Sequence, residues 1–378
     1  MKFHEKPILI VAAVTILLHG CANATSLEEQ PSVVFETRIP PLPTSPKKIS
    51  VEHTATLAAV GDILIHERVY VDAKVTSGYD FNPMMANVKP FMEQADLTIA
   101  NSESIVGGSE IGLSTYPAFN SPYEVGDALK NAGVDIVSLA NNHTLDRGLP
   151  AVKNAIGYWN RIGMLHTGAY LSNEERAKIT VMTKNDIRFS FLSYTYGTNG
   201  IPSPAGKEYI VNRIDPAVIQ KDLTHAKEVS DVVVLSLHFG QEYQNMPNAE
   251  QIELARFAAD HGADIILGHH PHVLQPPAWI PTVDGRKAFV VYSLGNFLSG
   301  QDELDRQIGA ILHLEVVKNE TADAHSITLK NPAFTPTFVT SNNAKDYQME
   351  LLKNIDPDLN AITKEHLSTW IKDLEFIE

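Results

Sequence analysis

From about residue 54 the chain alternates short, nearly unbroken apolar runs with longer stretches in which apolar residues recur at helical spacing. "TATLAAVGD", "DLTIANSE", "VDIVSLANNH", "SDVVVLSLHFG", "ADIILGHH" and "AFVVYSLGNF" have the length and β-branched content of buried strands. Between them the spacing predicts helices over 123–131, 151–161, 216–229 and 249–261. Such alternation argues for a layered α/β domain.

Each apolar run then stops in the same manner, at a polar cluster: Asp62, Asn101 with Glu103, 141–143, His238, 269–272 and Asn296. Ligands of open α/β sheets gather at the carboxyl ends of strands. Six clusters spread over more than two hundred residues are therefore expected at one rim.

Beyond residue 305, "IGAILHLEVVKN" and "HSITLKNPAFTPTFVT" read as further strands. "NAKDYQMELLKNI" and "EHLSTWIKDLEF" read as amphipathic helix, so a domain is expected over 54–340 with a helical extension over 341–378. No internal repeat is visible.

The first twenty residues read as an export signal, with Lys2 and Lys6 ahead of the apolar run 8–18, which is short for a membrane span. Leu18-His19-Gly20-Cys21 resembles the lipobox of bacterial lipoproteins, with an atypical His19. Cys21 is the sole cysteine, so it forms no intramolecular disulfide and is the expected site of lipid attachment. The polar, Pro-rich stretch 21–53, with "IPPLPTSPKK", is the expected tether between lipid and domain. The expected location is the outer face of the cell membrane, as a lipoprotein.

The chain has 378 residues, 44% of them hydrophobic, enough for a substantial core. Its net charge is −15, and loss of the leader removes a further positive unit, which argues against nucleic acid as a partner. A polyanionic partner would need a local basic patch or bridging cations.

Imidazole and carboxylate together suit divalent ions such as Mn, Fe and Zn, and two such ions can polarise one water for hydrolysis. Asp62, Glu103, Asn142, His143, His238, His270 and His272 supply that inventory at the expected rim. His270 and His272 stand two apart, which in an extended segment sends both side chains one way; a solvated surface loop is the alternative. Asp146, three past His143, either orients the imidazole or caps the next helix, and position alone favours the cap. Gly240 allows a sharp turn beside His238, and Glu242 offers a ligand, an acid/base or a solvated carboxylate. His66 would share a face with Asp62 if a helix began there. His53, His166, His225, His261, His313, His325 and His366 have no comparable setting and read as structural or surface residues.

"VGDILIH", "IANSES", "FNSPYEVGDALKNAGVDIVSLANNHTLDRG", "SLHFGQEY", "GADIILGHHPHVLQP" and "VVYSLGNFL" occur in order over about 55–300 and closely resemble the CapA family of poly-γ-glutamate capsule biosynthesis proteins. The resemblance implies a calcineurin-like metallophosphoesterase sandwich, two central β-sheets flanked by helices, with a two-metal site at the strand ends. By motif position Asp62 stands for that superfamily's first Asp, Asn142-His143 for its Asn-His pair, His238 for its isolated His, and His270 and His272 for its terminal histidines. Two departures are visible: Leu64 occupies the His position of the opening Asp-x-His, and Asn101-Ser102-Glu103 replaces the second Asp.

The family resemblance implies a membrane-anchored part of the machinery that makes, exports or attaches poly-γ-glutamate, with that polymer and membrane synthase or export subunits as partners. In a catalytic version Asp62, Glu103, His143, His238, His270 and His272 hold one or two divalent ions (Mn, Fe, Zn or Mg) for attack on a phosphoryl or amide centre. Asn142 then ligates or stabilises charge, while Glu242 or His269 moves protons. Two rivals stand beside it: a non-catalytic scaffold whose metals bridge to polymer carboxylates, and a general surface phosphoesterase with no capsule role.

Overall fold

The computed structural model describes residues 50–321 and 324–378. The export signal, Cys21 and most of the tether lie outside the described residues; residues 51–53, expected in the tether, already belong to the first strand.

Two sheets stack face to face. The nine-stranded sheet is centred on β1 (Val51–Leu64), followed on one side by β2 (Leu97–Asn101), β3 (Ile136–Ser138) and β4 (Leu165–Thr167). These four run parallel, as βαβ crossovers through α2 (Glu124–Asn131) and α3 (Gly148–Ile162) dictate; the short helix α1 (Glu67–Asp72) follows β1.

The six-stranded sheet begins with β5 (Thr180–Lys184) at one edge, then β6 (Ile187–Thr195), β7 (Val232–His238) and β8 (Ile265–His269). It ends with β9 (Leu274–Pro281) beyond β10 (Lys287–Leu294). The crossovers are α4 (Pro216–Val229) and α5 (Ala249–Asp260). Asp215 caps α4 through the Ala217 and Val218 amides, ahead of Pro216 at the first helical position. Asn248 and Gln251 form a reciprocal capping box on α5.

The second flank of β1 receives β11 (Asn296–Ser299) in parallel and β12 (Ile308–Glu320) antiparallel, then β13 (His325–Asn342) and β14 (Lys345–Leu351).

Between the sheets lies a core of Leu57, Ala59, Ile99, Phe189, Phe191 and Phe289 with their neighbours. Each fully buried Leu, Ile or Phe side chain among them contributes about 1.5–3 kcal/mol. On the outer face of the first sheet, Ala58, Val60 and Val137 pack against Leu129, Val152 and Trp159 of α2 and α3. On the outer face of the second, Val233 and Leu235 meet Ile219, Leu223 and Ala255 of α4 and α5. The chain thus forms the two-sheet α/β sandwich, helices outside, that the resemblance implied.

The C-terminal expectation needs correction. Tyr347, Met349 and Leu351 are buried while Asp346, Gln348 and Glu350 are not, which is the period of a strand, and β14 extends the first sheet. The helix that follows, α6 (Pro357–Leu367), starts upstream of the expected one because Asp356 caps it and Pro357 opens it. The final segment is therefore part of the domain and only partly helical.

Register brings the polar strand ends together. Asp62 pairs with Asn101 of β2 and with Asn296 of β11, and His238 of β7 pairs with His269 of β8. Close approach is enforced by glycine: a Cβ at Gly61 would lie 2.0 Å from the Gly295 carbonyl oxygen, and one at Gly268 would lie 1.9 Å from that of Tyr292.

Candidate metal centre at the strand ends

Asp62 is the hub. It is fully buried at the end of β1, and its Oδ1 accepts from Asn101 Nδ2 at 2.8 Å while its Oδ2 accepts from the His270 amide at 3.3 Å. His272 Nδ1 lies 3.1 Å from Oδ2, and His269 Nδ1 lies 3.3 Å from Oδ1. Burial alone would raise this carboxyl, yet hydrogen bonds and charge from His269 and His272 hold it well below the usual carboxylate range.

Glu103 behaves in the opposite way. It too is fully buried, and among the described residues neither carboxylate oxygen has a hydrogen-bond partner. Burial, reinforced by the charges of Asp62, Glu242 and Asp146, pushes it well above the usual range. Its Oε1 lies 3.5 Å from His238 Nε2 and 3.7 Å from His272 Nε2.

Among the described residues three sets of ligand atoms converge within 4.8 Å: Glu103 with His238 and His270; Asp62 with Glu103 and His272; and Glu242 with His270 and His272. Glu103, not Asp62, is common to the first two sets, so it is the carboxylate within reach of both. Burial and the neighbouring charge of His270 hold His238 well below its ordinary value; burial and His272 push His270 down to about 3. Both are thereby kept in the neutral form that binds metal.

The residues fit divalent cations. A buried carboxylate without donors costs several kcal/mol unless it meets a cation, and the orphan atoms here include Glu103 Oε1 and Oε2, Asn101 Oδ1 and His270 Nδ1.

His270 and His272 reach this site by a different backbone than expected. Neither is extended: φ is 99° at His270 and 58° at His272. Two side-chain-bearing residues in the left-handed region, each costing on the order of 1–3 kcal/mol, bring the rings to 5.9 Å of one another.

Asp146 and His66 settle alternatives that the sequence left open. Asp146 does not cap α3, whose N-cap is Arg147; its Oδ2 sits 2.6 Å from His143 Nδ1 and accepts from the Phe119 amide at 2.7 Å. His66 shares no helix with Asp62, since β1 runs on to Leu64 and His66 itself precedes α1. It packs edge-on to Phe119 and is pushed down to about 4, first by burial.

His143 is buried in the same pocket but belongs to none of the three ligand sets. Asn142 Oδ1 lies 2.9 Å from His238 Nε2, within reach of the first set. His269 sits behind Asp62, and Glu242 is the exposed member of the site.

Sequence reasoning gave Asn296 a place at the rim but no role, and passed over Tyr196 and Asn199. Asn296 Oδ1 lies 3.1 Å from His272 Nδ1, while the Asn296 amide donates to Gln301 Oε1 and the Arg306 carbonyl. Tyr196, just past the end of β6, places its ring 4.7 Å from that of His270 and 6.3 Å from that of His238. The β6 run "IRFSFLSYT" obeys the same strand-end rule, but its interleaved Arg188, Ser190 and Ser193 mask it as an apolar run. Asn199 Nδ2 lies 3.4 Å from His143 Nδ1.

Residues 56–301 match the family described as Bacterial capsule synthesis protein PGA_cap. The PGA biosynthesis protein CapA of Bacillus subtilis (strain 168) is 30% identical over 321 residues, covering 81% of this chain and 78% of that protein. The capsule biosynthesis protein CapA of Bacillus anthracis is 28% identical over 312 residues, covering 79% and 72%. Among solved structures, a calcineurin-like phosphoesterase, YfkN from Bacillus subtilis, is similar at a TM-score of 0.42 and 14% identity, covering 84% of this chain and 99% of that one. With the family motifs gathered at one rim and the match extending over most of the domain, the chain belongs to the bacterial capsule synthesis protein family PGA_cap.

Proposed function

We propose that this chain is a lipid-anchored, outward-facing component of capsule polymer biosynthesis or export whose strand-end site is a divalent-metal-dependent phosphoesterase. The observation that carries the catalytic part is Glu103: a fully buried carboxylate with two unpartnered oxygens, ringed by Asp62, His238, His270 and His272. The relatives named for PGA and capsule biosynthesis support the polymer setting, with poly-γ-glutamate or a related polymer and membrane-bound subunits as partners. The apolar leader ending at Cys21 supports the anchor. Among the described residues no helix is long and apolar enough to cross a membrane.

Glu103, His238 and His270 would hold one ion, and Asp62, Glu103 and His272 a second, with Glu242 facing solvent beside them. Such ions supply Lewis acidity toward a phosphoryl oxygen and lower the pKa of water. Asp146 fixes the Nδ1 proton of His143, leaving Nε2 as the imidazole nitrogen that exchanges a proton with a leaving group. Asn142 and Tyr196 line the same space and can donate to developing negative charge.

The test is the metal content of purified protein together with hydrolysis of bis-p-nitrophenyl phosphate, p-nitrophenyl phosphate and γ-glutamyl peptides. Bound metal with phosphoester turnover that Glu103→Gln abolishes is expected. Metal without turnover, and unimpaired capsule in a His270→Ala, His272→Ala strain, would replace the hydrolase with a scaffold.

A further inference from the structure

Beside the metal centre the structure holds a second feature, a cleft of about 490 Å³, within the range of small-molecule sites. Tyr196 is the wall common to both: its ring contacts the imidazoles of His238 and His270, and it lines the cleft. Phe239 and Gly240, directly after His238, continue that wall. Ile214, Leu254 and Phe257 make the rest apolar, and the lip carries Glu250 and Glu253. The lip's two carboxylates repel a polyanion, so a glutamate polymer does not belong in the cleft. An uncharged hydrocarbon group does.

We infer that the cleft is a substrate subsite for an alkyl or aryl group, so that the metal centre acts on a phosphoester with an apolar organic moiety rather than on the anionic polymer itself. The inference rests on the phosphoesterase reading above. Continuity through Tyr196 sets the arrangement: a phosphoryl group at the ions, with its hydrocarbon lying across Tyr196 onto Phe239, Leu254 and Phe257. Gln251, buried and bonded to Gln275, stiffens the floor, and a Cβ at Gly240 would lie 2.5 Å from its side chain, so the cleft is preformed.

The test separates cleft from metal by measuring binding without turnover. Full-length protein loaded with Mn²⁺ is titrated with methyl-, butyl- and octylphosphonate, while 1-octanol binding is followed by saturation-transfer NMR in wild type and in the His270→Ala, His272→Ala variant. Octanol is expected to bind both proteins alike, and phosphonate affinity in wild type to rise by roughly three- to fourfold per methylene until the cleft is full. Leu254→Trp and, separately, Ile214→Trp, both at half-buried positions, should abolish octanol binding and flatten the chain-length series while leaving methylphosphonate affinity unchanged. Octanol binding with no phosphonate advantage keeps the cleft and overturns the phosphoesterase reading. Failure of octanol to bind wild type, or binding untouched by both tryptophans in folded protein, overturns the subsite.

Discussion

His143 Nδ1 lies 2.6 Å from Asp146 Oδ2, and the same carboxylate oxygen accepts the Phe119 amide at 2.7 Å. The carboxylate is itself held in place, so it fixes both the tautomer and the ring orientation of His143. Asp146→Asn should therefore leave metal content unchanged and lower kcat by about 10–100-fold, with a displaced pH–rate profile. His143→Ala should lose at least as much, and adding Asp146→Asn to it should cost little more, because the two act as a unit. Steady-state kinetics on the two single variants and the double variant check this. Independent, multiplying effects would separate the pair.

Glu103, if it holds metal as proposed, should tie stability to it. Without a cation its carboxyl is buried, donorless and faced by other carboxylates, so Glu103→Gln should make the metal-free protein more stable, by about 1–3 kcal/mol. The same change should abolish the rise in Tm on adding Mn²⁺ or Zn²⁺, since that rise is binding energy confined to the folded state. Differential scanning fluorimetry with and without chelator reads both effects. A metal-dependent Tm rise that persists in Glu103→Gln would remove Glu103 from the ligands.

Asn296 holds His272 from behind, through Oδ1 at 3.1 Å, and is itself pinned by its amide to Gln301 and the Arg306 carbonyl. Asn296→Ala frees the imidazole to rotate, and metal affinity should fall by about 10–100-fold with the fold intact. Competition with a chromogenic chelator gives the affinity, and circular dichroism checks the fold. Unchanged affinity would mean that Asp62 alone orients His272.

Much of this site was legible because one rule, polar residues at the ends of apolar strands, is nearly independent of tertiary detail. It placed Asp62, Glu103, His238 and His270 at the ends of runs whose burial is almost complete. What it could not supply is register: that Asp62 stands beside Asn101 and Asn296 follows from strand order, which no local pattern encodes. Nor could it supply the left-handed backbone at His270 and His272, where tertiary packing overrides the ordinary preference. Tyr196 was hidden by the polar residues in its strand. β14 was misread because "LKNI" after it extends a helix-like pattern across what is an alternating strand.

His313 makes the fold itself acid-sensitive. It lies in β12 between Ala58 and Ala333, is 5% exposed, has no partner for Nε2 among the described residues, and is pushed by burial down to about 4. In the unfolded chain a histidine titrates near 6.5. Above that pH both states are neutral and His313 contributes no pH dependence. Between about 6.5 and 4 the unfolded chain takes up a proton that the folded chain refuses, so stability falls as pH falls, by up to about 3 kcal/mol. Other buried histidines titrate in the same direction, so the readout is the difference between wild type and His313→Leu in urea unfolding. From pH 7 to pH 5 that difference should shift by about 2 kcal/mol in favour of the variant. A difference that stays constant over this range would mean that His313 is protonated inside the fold.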